Sequence, residues 1–258
     1  MTAVAKRALG QHFLADPNIL GVAGRLAELE EHDVVLEIGP GLGILTTFLA
    51  DRVAFVHAVE VDRELEPRLA ETIGARGNIR LVFGDALRID LAALAPTPRK
   101  LVANLPYNIA TPLVAESITS LPSIDLWCVM LQREVADRFF AVPGSKAYGA
   151  VSVLVQLAAA RTGFHPVART VFRPQPNVDS ALLAFRRVTL PADFPRIKCI
   201  VEGAFSHRRK TLANALQLSA VAEREQTYAA LAAIDRPADS RAEALEPAEF
   251  VALAAALR

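Results

Sequence analysis

Val34-Val35-Leu36-Glu37-Ile38-Gly39-Pro40-Gly41-Leu42-Gly43 is the stretch that decides the fold. Its first five residues form a short apolar run of the kind that makes a buried strand. The glycines then supply a turn that backbone alone can make, and Leu45, Phe48 and Leu49 continue at helical spacing. A strand, a glycine turn and a helix N-terminus together let a ligand lie close against main chain. The glycines are spaced G-x-G-x-G. The G-x-G-x-x-G of dinucleotide-binding enzymes would need its third glycine where Ile44 or Thr46 stands. That spacing argues against a pyrophosphate cradle and suits a smaller nucleoside-type ligand such as S-adenosylmethionine, with its amino-acid end against the turn.

Downstream, a second strand, Ala54 to Val59, ends at Glu60, with Asp62 two residues on. Glu60 lies 21 residues after Gly39, where a strand-end carboxylate can take both hydroxyls of a ribose. A helix from Arg63 to about Gly74 leads to a third strand, Ile79 to Phe83, which runs into Gly84-Asp85-Ala86. Asp85 can accept a hydrogen bond from an adenine amino group, although Gly-Asp is also an ordinary turn pair. Pro96 and Pro98 punctuate a loop before the fourth strand, Lys100 to Ala103, which delivers Asn104-Leu105-Pro106-Tyr107.

That tetrapeptide suits the handling of a flat, amino-bearing ring. Asn104 offers a side-chain carbonyl, Pro106 holds Leu105 extended, and Tyr107 offers a stacking face. The exocyclic N6 of adenine is a poor nucleophile because its lone pair is delocalised into the ring. Two acceptors, the Asn104 oxygen and an adjacent backbone carbonyl, would hold its two N–H bonds and favour a pyramidal nitrogen aimed at an electrophilic methyl. Orientation and electrostatics then do most of the catalysis. Taken alone, Asn-Leu-Pro-Tyr also reads as a plain turn.

Ahead of the glycine turn, Ala8-Leu9-Gly10-Gln11-His12-Phe13-Leu14 forms an arm, followed by a helix capped by Asp16 that runs to about Glu30. Beyond Tyr107, Thr111-Pro112 opens a helix, Asp125 to Leu131 is a very apolar fifth strand, Gln132 starts a helix ending near Pro143-Gly144, and Tyr148 to Ala159 is a further helix. Arg169 to Ser180 reads as an irregular proline-fixed loop between two strands, the second being Ala181 to Phe185, antiparallel at the far side of the sheet. If this loop faces the Asn104 turn, Phe172 and Tyr107 can sandwich a flipped base; core packing of Phe172 is the competing reading. The alternation of strands and helices predicts an α/β fold with a mostly parallel sheet. From Thr189 the texture changes to short helices at Phe194–Phe205, Lys210–Leu218, Ala222–Ala233 and Pro247–Leu257. The expected division is therefore 1–188 and a small all-helical domain, 189–258. At its entry, Ser206-His207-Arg208-Arg209-Lys210-Thr211 is a compact basic patch suited to phosphates, or to salt bridges on a helix surface.

The 258 residues carry no net charge, which argues against a uniformly basic nucleic-acid coat. The charge is uneven: 161–210 holds ten Lys/Arg against three Asp/Glu, and the rest of the chain 18 against 25. Cys128 and Cys199 stand apart in apolar settings and read as buried thiols of a reducing compartment. Met1 to Leu9 lacks the apolar core of a signal peptide, no apolar run is long enough to span a bilayer, and the five histidines form no cluster. A cytoplasmic protein without membrane or metal is expected.

The set of motifs resembles one family. GQHFL in the arm, EIGPGLG at 37–43, Glu60, GDA at 84–86, NLPYNI at 104–109, FRPQPNVDSA at 172–181 and RRKTLANAL at 208–216 match the KsgA/RsmA family of ribosomal RNA small-subunit adenine dimethyltransferases in order and spacing. The resemblance covers residues 10 to about 217. It implies a Rossmann-like class I methyltransferase domain, with S-adenosylmethionine bound by His12, Leu14, Gly39, Gly41, Glu60, Asp85 and Asn104. It implies catalysis by Asn104, Leu105, Pro106, Tyr107 and Phe172, and RNA contacts from Arg208, Arg209 and Lys210. Where many relatives have Asn in the arm, this chain has His12. The implied reaction is N6,N6-dimethylation of two adjacent adenines in a hairpin loop near the 3′ end of 16S rRNA, by a monomer acting on a pre-ribosomal particle. Macrolide-resistance methyltransferases of large-subunit rRNA and a mitochondrial transcription factor resemble the same catalytic half. A mainly non-catalytic assembly factor is the alternative from another class.

Overall fold

The computed structural model describes Lys6 and residues 11–257; Ala8, Leu9 and Gly10 of the arm lie outside the described residues. A two-residue strand, β1 (Phe13–Leu14), leads into α1 (Pro17–Leu26). Asp16 caps α1, its carboxylate accepting from the Asn18 N–H, and Pro17 occupies the first turn where its missing donor costs nothing. The helix stops before the expected Glu30, with Glu28 in the left-handed region at φ 49°.

β2 (Val34–Ile38), α2 (Ile44–Ala50), β3 (Phe55–Glu60), α3 (Glu66–Ile73), β4 (Ile79–Phe83), β5 (Lys100–Asn104), α4 (Ala110–Ser120) and β6 (Leu126–Gln132) follow as strand–helix alternation. α5 (Arg133–Phe139) and α6 (Ala150–Ala158) precede β7 (Ala159–Val167), β8 (Phe172–Arg173) and β9 (Ser180–Arg187). The main sheet has seven strands in the order β4-β3-β2-β5-β6-β9-β7. β2 to β6 pair in parallel, and β9 runs antiparallel to β6, as the sequence led us to expect for that strand. β2 has β3 on one side and β5 on the other, so the chain order reverses beside it. Ligands of open α/β sheets bind at such a switch point, outside the carboxyl ends of the strands. Leu36 pairs with Leu101, which brings Gly39 and Asn104, each three residues on, to the same level at that point.

The core between sheet and helices joins Ile19, Leu20 and Ala23 of α1 and Leu45 and Leu49 of α2 to Val35, Val56, Val102, Cys128 and Met130 of the strands. Trp127, stacked on Phe185 at 5.2 Å, donates its indole N–H to Ser117 Oγ at 2.9 Å. Arg187 closes the end of α4: its guanidinium donates to the carbonyls of Ile118, Leu121 and Ile124 at 2.7–2.9 Å.

Two strands escaped sequence reading, β1 and β8, which pair antiparallel over only two residues, Phe13 with Arg173 and Leu14 with Phe172; β7, the strand expected ahead of the Arg169–Ser180 loop, lies at the sheet edge. The chain divides into two compact units. One holds the described residues up to 136 together with 160–187; the other holds 137–159 and 188–257. The helical unit therefore takes in 137–159, which the sequence, lacking any change of composition there, had placed with the sheet. In that unit α6 packs on α7 (Phe194–Ser206) and α10 (Pro247–Ala256), and α8 (Leu212–Leu218) and α9 (Arg224–Ala233) pack on each other, α8 also on α7 and α9 also on α10. The buried Tyr148 hydroxyl donates to the Leu245 carbonyl at 2.7 Å, tying the two segments together. Cys128 is buried as expected, but Cys199 is exposed. The helical period explains the correction: Ile197, Ile200, Val201 and Ala204 take the inward face of α7, leaving Cys199 beside Arg196 and Glu202.

Candidate active site

At the switch point lies a cleft of about 690 Å³, including solvent at its mouth. Its floor is the glycine turn. Gly39 (φ 73°) and Gly41 (φ 58°) both sit in the left-handed region, and a side chain on either would be crowded. A Cβ on Gly39 would meet the Pro106 ring at 3.2 Å, and one on Gly41 the Phe13 ring at 3.0 Å. The turn is thus packed between the Asn104–Tyr107 segment and the arm.

Glu60 ends β3 with its carboxylate fixed by main chain. Gly41 N–H donates to one oxygen at 3.1 Å and Asp62 N–H to the other at 2.9 Å. Burial pushes its carboxyl above the ordinary value, and these hydrogen bonds hold it back. Asp85 lies one strand over, beyond Gly84, whose N–H donates to the Glu60 carbonyl at 2.9 Å. It does not line the cleft. Its carboxylate accepts from the Leu87 N–H at 3.0 Å and pairs with Arg88 at 3.3 Å.

Asn104 closes β5 and faces the cleft. One side-chain amide N–H donates to the His12 carbonyl at 3.0 Å, which leaves Oδ1 as an acceptor unengaged among the described residues. Leu105 is buried, its N–H donating to Met130 O at 3.0 Å. The Pro106 carbonyl accepts from Ile109 and Ala110 at the start of α4, so it is spent on the helix. The half-buried Tyr107 is fixed at its hydroxyl by Ser180 Oγ at 2.6 Å, and its ring lies 5.3 Å from that of His12. Burial raises the Tyr107 pKa, so the phenol stays protonated at neutral pH.

Leu14 lines the cleft from β1. His12 contributes its backbone carbonyl and a ring face, while its Nδ1–H donates to the Pro174 carbonyl at 2.8 Å. Phe172 corrects the sequence reading. It is fully buried in the main core with Leu14, Ile19 and Leu20, because its partner across β1–β8 is the inward Leu14, and it presents no face for a base. Arg208, Arg209 and Lys210 lie exposed after α7 in the helical unit, and Arg208 is already engaged, donating to the carbonyls of Tyr148 at 3.1 Å and Lys146 at 3.4 Å.

Sequence reading passed over Glu37, Thr46 and Asp62. Among the described residues, Glu37 Oε2 and Thr46 Oγ1 are buried without a hydrogen-bond partner, and Glu37 lines the cleft. Burial pushes the Glu37 carboxyl up to about 8; the Thr46 hydroxyl opposes this without completing a hydrogen bond, and the charge of Glu60 adds to it. The signal was legible, an acid inside the apolar run Val34–Ile38. Among the described residues, the cleft lining holds Glu37 and Glu60 and no Lys or Arg. With Glu37 largely protonated at neutral pH, Glu60 supplies the charge of this lining, and a carboxylate without an opposing Lys or Arg fits a ligand with net positive charge, such as a sulfonium bearing an ammonium group, better than a pyrophosphate.

The comparisons with known proteins agree. A family model described as "Ribosomal RNA adenine dimethylase" matches residues 3–256. The chain is 49% identical over 249 residues to "Ribosomal RNA small subunit methyltransferase A" of Rubrobacter xylanophilus, covering 96% of this chain and 93% of that one. It is 42% identical to the protein of the same name from Ligilactobacillus salivarius, covering 98% and 90%. Among solved structures it resembles a dimethyladenosine transferase from Plasmodium falciparum, with TM-score 0.77, 25% identity and coverage of 94% and 96%. It also resembles the 23S rRNA methyltransferase ErmE, with TM-score 0.71, 27% identity and coverage of 95% and 99%. With a glycine turn, a strand-end carboxylate and an Asn-Leu-Pro-Tyr segment converging on one acidic cleft, the chain belongs to the ribosomal RNA adenine dimethylase family of S-adenosylmethionine-dependent methyltransferases.

Proposed function

We propose that the protein dimethylates N6 of two adjacent adenines in a hairpin loop near the 3′ end of 16S rRNA, acting in the cytoplasm as a monomer on a pre-ribosomal particle. The observation that carries this reading is the Asn104 side chain. One of its two amide N–H groups donates to the His12 carbonyl, which fixes the amide and leaves its oxygen to accept from an amine entering the cleft. S-adenosylmethionine would supply an electrophilic methyl on a sulfonium, with a neutral thioether as the leaving group. Glu60 would hold the ribose hydroxyls and Asp85, after turning from Arg88, the adenine amino group. Gly39 and Gly41 would accept the amino-acid end against bare backbone, with His12 and Leu14 covering it from the arm.

On the substrate side, Asn104 Oδ1 and the Leu105 carbonyl accept the two N–H bonds of the target amine, with the lone pair in line with the methyl. Pro106 keeps Leu105 extended, and Tyr107, pinned by Ser180, stacks the extruded base. With Phe172 in the core, the second face of the base falls to another group, and the His12 ring beside Tyr107 is the one at hand. No side chain need deprotonate the amine in advance, because the ammonium formed on transfer is acidic. Arg209 and Lys210, whose side chains are exposed, would meet RNA phosphates.

The test is tritiated-methyl transfer from S-adenosylmethionine to purified, unmethylated small ribosomal subunits, with large subunits as control. Up to about four methyls per small subunit, recovered as dimethyladenosine, is the expected result, from two adenines methylated twice each. Label on the large subunit alone would transfer the protein to the class represented by ErmE. No label on either, with S-adenosylmethionine still bound, would favour the assembly-factor reading.

A further inference from the structure

Asp62 holds a position that the reaction as described does not use. Its side chain is only 4% exposed, so its charge requires partners, and Lys6, ahead of the arm, and Gln11, within it, supply two of them. Lys6 Nζ donates to Oδ1 at 2.8 Å and Gln11 Nε2 to Oδ2 at 3.0 Å, while Oδ1 also accepts from the Glu64 N–H at 3.2 Å. Lys6 and Gln11 are in turn joined, the Lys6 N–H donating to Gln11 Oε1 at 2.8 Å. Burial pushes the Asp62 carboxyl up, yet the bonds from Lys6, Gln11 and Glu64 leave it below its ordinary value.

The residue after Gln11 is His12, and its carbonyl takes the Asn104 amide. The orientation of a peptide carbonyl depends on anchors at both ends. Downstream the arm is anchored by the pairing of Phe13 with Arg173 and of Leu14 with Phe172; upstream its anchor is Gln11 on Asp62. An amide side chain is symmetric in shape and asymmetric in charge. Which end of Asn104 faces the cleft is therefore decided by what its other end bonds, and a carbonyl can bond only the NH2 end.

We propose that Asp62 is a positioning residue for methyl transfer: through Gln11 it fixes the arm so that the His12 carbonyl orients Asn104 and presents Oδ1 to the target amine. The inference rests on the methyl-transfer reading of the cleft and adds to it a residue that touches neither ligand. It also gives the arm a role in the chemical step beyond covering the cofactor.

The test exploits hydrogen-bond polarity. In Asp62→Asn, one oxygen remains to cap the turn at Glu64, while the new NH2 opposes the Gln11 NH2, donor against donor. In Gln11→Glu, two carboxylates face each other. In the double variant, the amide at position 62 donates to the carboxylate at position 11, restoring the bond with its direction reversed and the net charge of the pair unchanged. The first readout is the side-chain NH2 resonance pair of Asn104 in the cofactor-free, ¹⁵N-asparagine-labelled protein, assigned by its loss in Asn104→Ala. Both single variants should shift or broaden that pair, and the double variant should return it. The second readout is kcat at saturating cofactor on small ribosomal subunits. The single variants should lose about tenfold or more, the scale expected when a reacting group is misplaced by a fraction of an ångström, and the double variant should recover to within about threefold. KM for the subunit should stay constant throughout. Single variants with wild-type resonances and wild-type kcat would overturn the proposal, as would a double variant as slow as the product of the two singles. If the wild-type protein methylated no ribosomal subunit, the functional reading would fall, while the resonance experiment would still judge the link from Asp62 to Asn104.

Discussion

Replacing Glu37 by Gln should change the pH dependence of folding more than any other single substitution in the cleft. The carboxyl is buried, one of its oxygens has no partner among the described residues, and its pKa rises from 4.5 to about 8. A carboxyl whose folded pKa lies above its unfolded value favours folding fully below pH 4.5, and that contribution is lost as pH rises through the folded value. Each pH unit in that window carries about 1.4 kcal/mol, so wild-type stability attributable to Glu37 should decline by about 3 kcal/mol by pH 7 and by at most about 5 kcal/mol above pH 8. Glutamine keeps the shape of the protonated acid and does not titrate. The amide has its own unpartnered end, but that penalty is independent of pH and drops out of the slope. Urea unfolding of the cofactor-free wild type and of Glu37→Gln, run side by side from pH 5 to 8.5, reads the difference directly. The variant should gain on the wild type steadily as pH rises. A difference that stayed flat across this range would refute the reasoning: it would mean that Glu37 keeps an ordinary pKa in the fold, through water or a partner at Oε2.

Other substitutions separate the roles in the cleft. Asn104→Ala should lower methyl transfer by a hundredfold or more, while calorimetric affinity for S-adenosylhomocysteine changes far less; intact turnover would sink the proposed mechanism. Gly41→Ala forces a side chain into φ 58° and against the Phe13 ring at 3.0 Å, so it should cost about 1–3 kcal/mol in thermal or urea unfolding and weaken cofactor binding at least tenfold. Arg187→Met removes three charge-assisted bonds to the carbonyls that end α4, and should lower stability by about 2–4 kcal/mol with cofactor affinity unchanged. Arg209→Ala and Lys210→Ala should each weaken binding to small subunits and reduce its salt slope by about one, whereas Arg208→Ala should act mainly on the stability of the helical unit, because its guanidinium already serves the Tyr148 carbonyl.

The strands that position the cleft were legible because each is short, apolar and followed by a residue with a distinct task. Val34–Ile38 leads to Gly39, Ala54–Val59 to Glu60, and Lys100–Ala103 to Asn104. Their common level at the switch point follows from parallel pairing, which strand–helix alternation already implies. Phe172 shows where such reading stops. The direction of its ring is set by a two-residue pairing with β1, a contact between segments some 160 positions apart with no periodicity to announce it. The boundary of the helical unit was hidden for the same reason: Tyr148 belongs there because its hydroxyl reaches Leu245, and nothing in the composition around 137–159 records that.

What the sequence left out is thus what depends on segments meeting, and in this cleft that includes the direction of the reacting acceptor. Motif residues such as Asn104 fix which atoms are available. The polarity with which they are offered is fixed by neighbours with no motif of their own: the His12 carbonyl behind Asn104, Ser180 behind Tyr107 and the Gly41 N–H behind Glu60. Two of these three are backbone groups, so their positions depend on the conformation of the arm and of the turn more than on which side chain occupies them. Substituting the His12 side chain should therefore disturb the orientation of Asn104, read from its side-chain NH2 resonances, less than freeing the arm at Gln11 does, even where it costs stacking of the base.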